Sequence, residues 1–98
     1  MRTSESVLQL IKSKKQNKTI KTGNWKATKN DDLISVYYYG TLVALYPISI
    51  KNLVLVYDYS VSTKCGLTKI KNELAQHNLI DKLFYTDRKF KALNEIKL

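Results

Sequence analysis

Ninety-eight residues suffice for one domain and leave neither half of a divided chain enough material for its own core. With 44% hydrophobic and 26% charged residues, the composition is that of a folded globule and not of a disordered chain. Seventeen Lys and Arg against eight Asp and Glu give +9, which favours anionic partners, while a single cysteine, Cys65, excludes an internal disulfide and a zinc cluster.

The basic charge is concentrated. Residues 2–29 hold Arg2, Lys12, Lys14, Lys15, Lys18, Lys21, Lys26 and Lys29 against Glu5 alone, so +7 of the +9 lies there and the body is nearly neutral. Within the single domain 1–98, this segment reads as a basic arm, and 12–29 is the only stretch expected to be mobile when unbound. Ser4 caps a short helix whose apolar positions are Val7, Leu8 and Ile11, fading near Lys15. Gly23-Asn24 marks a turn, Trp25–Thr28 a short strand, and Asn30-Asp31-Asp32 a second turn.

The clearest structural signal follows. Leu33–Tyr39 and Leu42–Tyr46 are rich in β-branched and aromatic residues, with Gly40-Thr41 between them, a two-residue loop suited to a type II′ hairpin. That pairing puts Ile34, Val36, Tyr38, Val43 and Leu45 on the core face, and Tyr37, Tyr39 and Tyr46 on the other, among Ser35, Leu42 and Ala44. Sliding the loop to Tyr39-Gly40 leaves the same two faces, because the parity is unchanged. Leu53–Tyr59 is a further strand. Ser62 or Thr63 then caps a helix over 64–78 with Leu67, Ile70 and Leu74 inward, and a last hairpin runs through Lys82–Tyr85 and Lys89–Leu93. The pattern predicts an α+β fold, a small antiparallel sheet covered on one face by an N-terminal helix and a helix near 64–78.

Catalytic signals are sparse. His77 falls at the predicted C-terminus of the second helix, where a cation complements the helix dipole, and a capping role outweighs a catalytic one. Cys65 at the start of that helix reads as a small packed residue ahead of a redox group. The acids Asp31, Asp32, Asp58, Glu73 and Asp81 form no metal-ligand spacing, and the three glycines make no phosphate-cradling loop. These patterns point away from an enzyme, from a cofactor or metal, and from a small-molecule substrate. The apolar runs, broken by Gly40, Pro47 and Lys51, fall short of the roughly 20 residues that span a bilayer, and Met1–Ile11 lacks a signal-like stretch. A cytoplasmic protein without a membrane partner is the expectation.

Binding signals are stronger. Lys12, Lys14, Lys15, Lys18, Lys21, Lys26 and Lys29 suit phosphate contact, and Lys64, Lys69 and Lys71 extend the track; the competing assignment is a solvated lysine-rich surface. With only Arg2 and Arg88 as arginines, bidentate base reading is disfavoured, so binding should be weakly sequence-specific and steeply salt-dependent. Tyr37, Tyr39 and Tyr46, with Trp25 nearby, would form a stacking platform for single-stranded DNA. The same aromatics suit burial under a helix or a protein partner equally well.

Asn24-Trp25-Lys26-Ala27-Thr28 followed by Val36-Tyr37-Tyr38-Tyr39-Gly40-Thr41-Leu42-Val43-Ala44, and Tyr59-Ser60-Val61-Ser62-Thr63-Lys64 leading into Ile70-Lys71-Asn72-Glu73-Leu74, resemble a pattern in small proteins of phages and other mobile elements of Gram-positive bacteria. Members often carry a second Thr where this chain has Cys65 and Arg-Leu-Asn where it has Ile70-Lys71-Asn72. The size, basicity and composition are also similar to those of the small middle protein of the staphylococcal cassette replication operon. That resemblance implies an accessory subunit that binds a DNA polymerase of the A family and helps it begin primers. The sequence therefore predicts a non-enzymatic, nucleic-acid-binding accessory protein of a mobile element. The alternative is a protein–protein module, an inhibitor or adaptor that binds no nucleic acid directly.

Overall fold

A computed structural model describes residues 3–13, 17–56 and 61–86. They form α1 (Thr3–Lys12), β1 (Lys18–Thr22), β2 (Trp25–Asn30), β3 (Leu33–Tyr38), β4 (Thr41–Pro47), β5 (Asn52–Val56), α2 (Val61–Gln76) and β6 (Lys82–Thr86). The fold is α+β, as the sequence predicts. The strands lie in the sheet in chain order. The first five pair antiparallel, while β6 pairs parallel to β5, which a chain can do only after a long crossover; α2 supplies it.

Both helices cover one face. Val7 and Leu10 of α1 and Leu67, Ile70 and Leu74 of α2 pack on Ala27, Ile34, Val36, Val43, Tyr46, Leu53 and Leu55, all fully buried. Thirteen buried residues make up this cluster among the described residues, and each Val, Leu or Ile in it contributes roughly 1.5–3 kcal/mol on burial. Among the described residues no helix packs on the opposite face.

Two expectations are corrected. Residues 18–30 are not an arm but the hairpin β1–β2, paired in full register from Lys18↔Lys29 to Thr22↔Trp25. The helix stops at Lys12, and β1 escaped notice because Lys-Thr-Ile-Lys-Thr has a single apolar side chain to betray its period of two. The parallel strand β6 replaces the first half of the expected last hairpin; Lys89–Leu93 lies outside the described residues, as do 57–59 of the expected third strand.

The hairpin β3–β4 is also corrected. Its loop is Tyr39-Gly40, with φ of 50° and 79°, so both central residues are left-handed as in a type I′ turn and not II′. A register shift then pairs Tyr37 with Leu42 but Val36 with Ala44, leaving Val43 as an extra residue. Such a bulge inverts the parity beyond it. Val43 and Ala44 both point into the core, Leu45 moves to the open face, and Tyr46 pairs with Ile34 beneath the helices, 1% exposed.

Tyr46 is held there by a polar anchor. Its hydroxyl donates to the Leu79 carbonyl at 2.5 Å. Leu79 is placed by the exit from α2, where Asn78 adopts φ 56° and the amides of Asn78 and Leu79 bond the carbonyls of Ala75 and Leu74 at 3.1 and 2.9 Å. This double bond around a left-handed Asn is a Schellman cap. Asn78, rather than His77, thus closes the helix; His77 Nε2 lies 3.9 Å from Glu73.

Candidate nucleic-acid interface

The turn-side end of β2 gathers Trp25 and Tyr38, both packed against the edge of the core, and the exposed Tyr39. Trp25 opens β2 opposite Tyr38, and their ring centroids lie 4.4 Å apart at 34°. Tyr39 meets Tyr38 edge-on at 4.7 Å and 67°. The two turns are tied together: the Tyr39 amide donates to the Asn24 carbonyl at 2.9 Å, and Asn24 Nδ2 donates to the Tyr39 hydroxyl at 2.6 Å. Edge and tilted stacking of this kind adds about 0.5–1.5 kcal/mol per pair beyond burial. The result is a continuous ladder from half-buried Trp25 to Tyr39, which is 69% exposed.

Behind the ladder, α2 comes unusually close. A Cβ at Gly66 would fall within 2.6 Å of Trp25 Cη2 and closer still to Cζ2, so only glycine lets the helix pass the indole. Two clefts flank Trp25. One of about 540 Å³ lies between the β1–β2 turn, Ser4 of α1 and Gly66 and Lys69 of α2. The other, of about 240 Å³, is bounded by Lys21, Asn24, Lys26 and Gly40.

The open face of the sheet continues from this end. Cross-strand registers place Lys21, Lys26, Tyr37 and Leu42 in one row and Thr19, Thr28, Ser35 and Leu45 in the next. The Lys26 ammonium sits over the Tyr37 ring, 4.8 Å from its centroid, which holds the cation at the surface of the aromatic. Tyr37 and Lys26 are half-buried and Lys21 is exposed.

The structure places Trp25 and Lys69 on the helix side of this end, Lys21, Lys26 and Tyr37 on its open face and Tyr39 at the turn between, and separates the other candidates from them. Tyr46 is a core residue, and burial, reinforced by negative Asp32, raises its phenol above the ordinary 10.0. Lys29 is 8% exposed, and its ammonium donates to the Ser13 carbonyl at 2.5 Å, capping the end of α1 instead of meeting a ligand. Lys18 shares the helix-side face with Lys29. Lys12 ends α1. Lys14 and Lys15 lie outside the described residues. On α2, Lys69 lines the large cleft. Lys64 and Lys71 fall roughly 140–160° away round the helix, so the three do not form one track. Cys65 is exposed, not packed.

No family model, curated protein or solved structure matches this chain. Among the described residues no helix is long and apolar enough to cross a membrane, and no three His, Cys, Asp or Glu side chains cluster as metal ligands would. The aromatic end offers rings, amides and ammonium groups, the chemistry of stacking and phosphate contact. Two of its members were hidden in the sequence. Tyr38 reads as core by alternation, and Asn24 reads only as a turn former; the turn signals on either side were the available clue that 24 and 39 would meet.

Proposed function

We propose that the protein binds single-stranded nucleic acid, with DNA the favoured form, as an accessory and not as an enzyme. The observation that carries this reading is that lysines flank Trp25, the first ring of the Trp25–Tyr38–Tyr39 ladder, from both faces of the sheet: Lys69 lines the cleft on the helix side, and Lys21 and Lys26 line the smaller one towards the open face. Lysines hold phosphates as point charges, and aromatic faces take unstacked bases of any sequence at about 1–3 kcal/mol per base. A duplex keeps its bases stacked and so forfeits the second contribution. The resemblance in size, basicity and composition to the small middle protein of the staphylococcal cassette replication operon extends the reading to replication, with a DNA polymerase as the protein neighbour.

Fluorescence anisotropy of a labelled oligothymidine and a labelled duplex, at two salt concentrations, tests it. The single strand should bind more tightly and lose affinity as salt rises. The double variant K21E/K26E, which changes only surface side chains, should weaken binding by about 100-fold. An unaltered affinity in that variant would remove the lysine row from the interface. A protein partner is the second reading, favoured by half-buried Leu33, Leu42 and Leu45 on the same open face. In that case no oligonucleotide binds at low salt, and none competes for the face.

A further inference from the structure

The larger cleft beside Trp25 is an open depression of about 540 Å³, roomy enough for one base-sized group. Its walls are chemically divided. The Trp25 indole supplies the apolar side, and the close pass of Gly66 fixes that ring against α2. Thr22 and Asn24 on the turn and Ser4 on α1 supply short hydroxyl and amide groups, and Lys69 stands at the rim on α2. Glu5, beside Ser4 in the same helical turn, is exposed and does not line the cleft.

The walls of the cleft are also tied together. The Ser6 hydroxyl bonds that of Thr22 at 2.9 Å, joining α1 to the turn, and Asn24 bonds Tyr39 across to the neighbouring turn. Tyr38 covers part of the indole, so Trp25 cannot swing outward without breaking a stacked pair. A preorganised aromatic wall loses little entropy when a planar group settles against it.

We infer that this cleft receives one base swung out of the bound strand, with the phosphate next to that base on Lys69. This rests on the single-strand reading and adds a discrete nucleotide subsite to it. The base lies along the indole, and Ser4, Thr22 and Asn24 offer donors and acceptors to its edge. The strand then passes over the turns, and its neighbouring phosphates reach Lys21 and Lys26 through the smaller cleft on the other side of Trp25. The subsite accounts for a lysine on α2 lying apart from the sheet lysines but against the same tryptophan.

Trp25 is the only tryptophan in the chain, so its emission reports on this position alone. The full-length protein is titrated with a short oligothymidine while anisotropy and tryptophan emission are read together. The emission should be quenched in step with binding. K69E should then weaken binding by roughly tenfold and abolish most of the quenching. K71E makes the same change in net charge on the other flank of α2 and should cost less than about twofold. Both positions are on the helix surface, and circular dichroism establishes that each variant keeps the fold. Equal losses in the two variants, or binding that leaves Trp25 emission unmoved, would overturn the subsite while leaving the single-strand reading standing. Failure of the wild-type protein to bind the oligonucleotide would overturn both.

Discussion

Tyr39 occupies a backbone position that suits another residue. At φ 50° in a type I′ turn before Gly40, asparagine or glycine is strongly preferred, and a bulky side chain held there costs on the order of 1 kcal/mol. Against that cost stand one edge contact with Tyr38 and one exposed hydrogen bond with Asn24, which offset it without a clear surplus because the hydrogen bond is open to water. A tyrosine that does not improve the turn, yet projects 69% exposed at the end of an aromatic ladder, is suited to a ligand. Tyr39→Asn creates the Asn-Gly pair that type I′ hairpins favour. It should raise the melting temperature by a few degrees and weaken oligothymidine binding about fivefold or more. Thermal melting and anisotropy on the same sample check both halves. A fall in both quantities would mean that Tyr39 serves the turn itself.

At the scale of elements, the contact between β4 and the exit of α2 has a pH signature. The Tyr46 phenol is raised above 10.0 chiefly by burial and secondarily by negative Asp32, and its hydroxyl donates to the Leu79 carbonyl. The unfolded chain loses that proton first as pH rises. The contribution of this tyrosine to stability is therefore constant below pH 10 and declines above it, as the folded state continues to hold a proton the unfolded state has released. Tyr46→Phe should lower stability at neutral pH by about 1–2 kcal/mol, because Leu79 loses its donor, and flatten the alkaline decline; urea melts at neutral and alkaline pH read both effects. This residue also marks where the sequence ceases to be legible. Alternation located β3 and β4, and the helix periodicity of Leu67, Ile70 and Leu74 located α2 and its inward face. The bulge at Val43 has no local signature, because Leu-Val-Ala-Leu-Tyr remains a plausible strand in either register. One inserted residue exchanged Leu45 for Tyr46 in the core. In the same way, the polar strand β1 reads as an arm until it is paired with β2, and the capping role of Lys29 depends on that pairing. Trp25, Tyr37, Tyr39, Lys21, Lys26 and Lys69 were recognisable by type, whereas their convergence depended on turns meeting across the sheet and on Gly66 admitting a helix.

The charge of the whole molecule sets how binding responds to salt, and the fold limits how much of that charge can act at one place. The chain carries +9, and +7 of it falls in residues 2–29, so a diffuse field would engage many phosphates at once. The fold divides that cluster. Lys29 is committed to the end of α1, Lys18 shares its face, and Lys21 and Lys26 face the other way with Tyr37. Adding Lys69, the aromatic end offers three ammonium groups to a strand. Each neutralised phosphate on a single strand contributes about −0.7 to the slope of log affinity against log salt, which gives about −2 for this interface. A slope near that value, reduced to about −0.7 in K21E/K26E, would match a site confined to these three lysines. A slope of about −5 would require further cations, and a slope unchanged by K21E/K26E would relocate the contact away from the open face. Titrations of wild type and variant across a salt series therefore count the phosphates held. They also separate a built site from the general attraction of a basic protein.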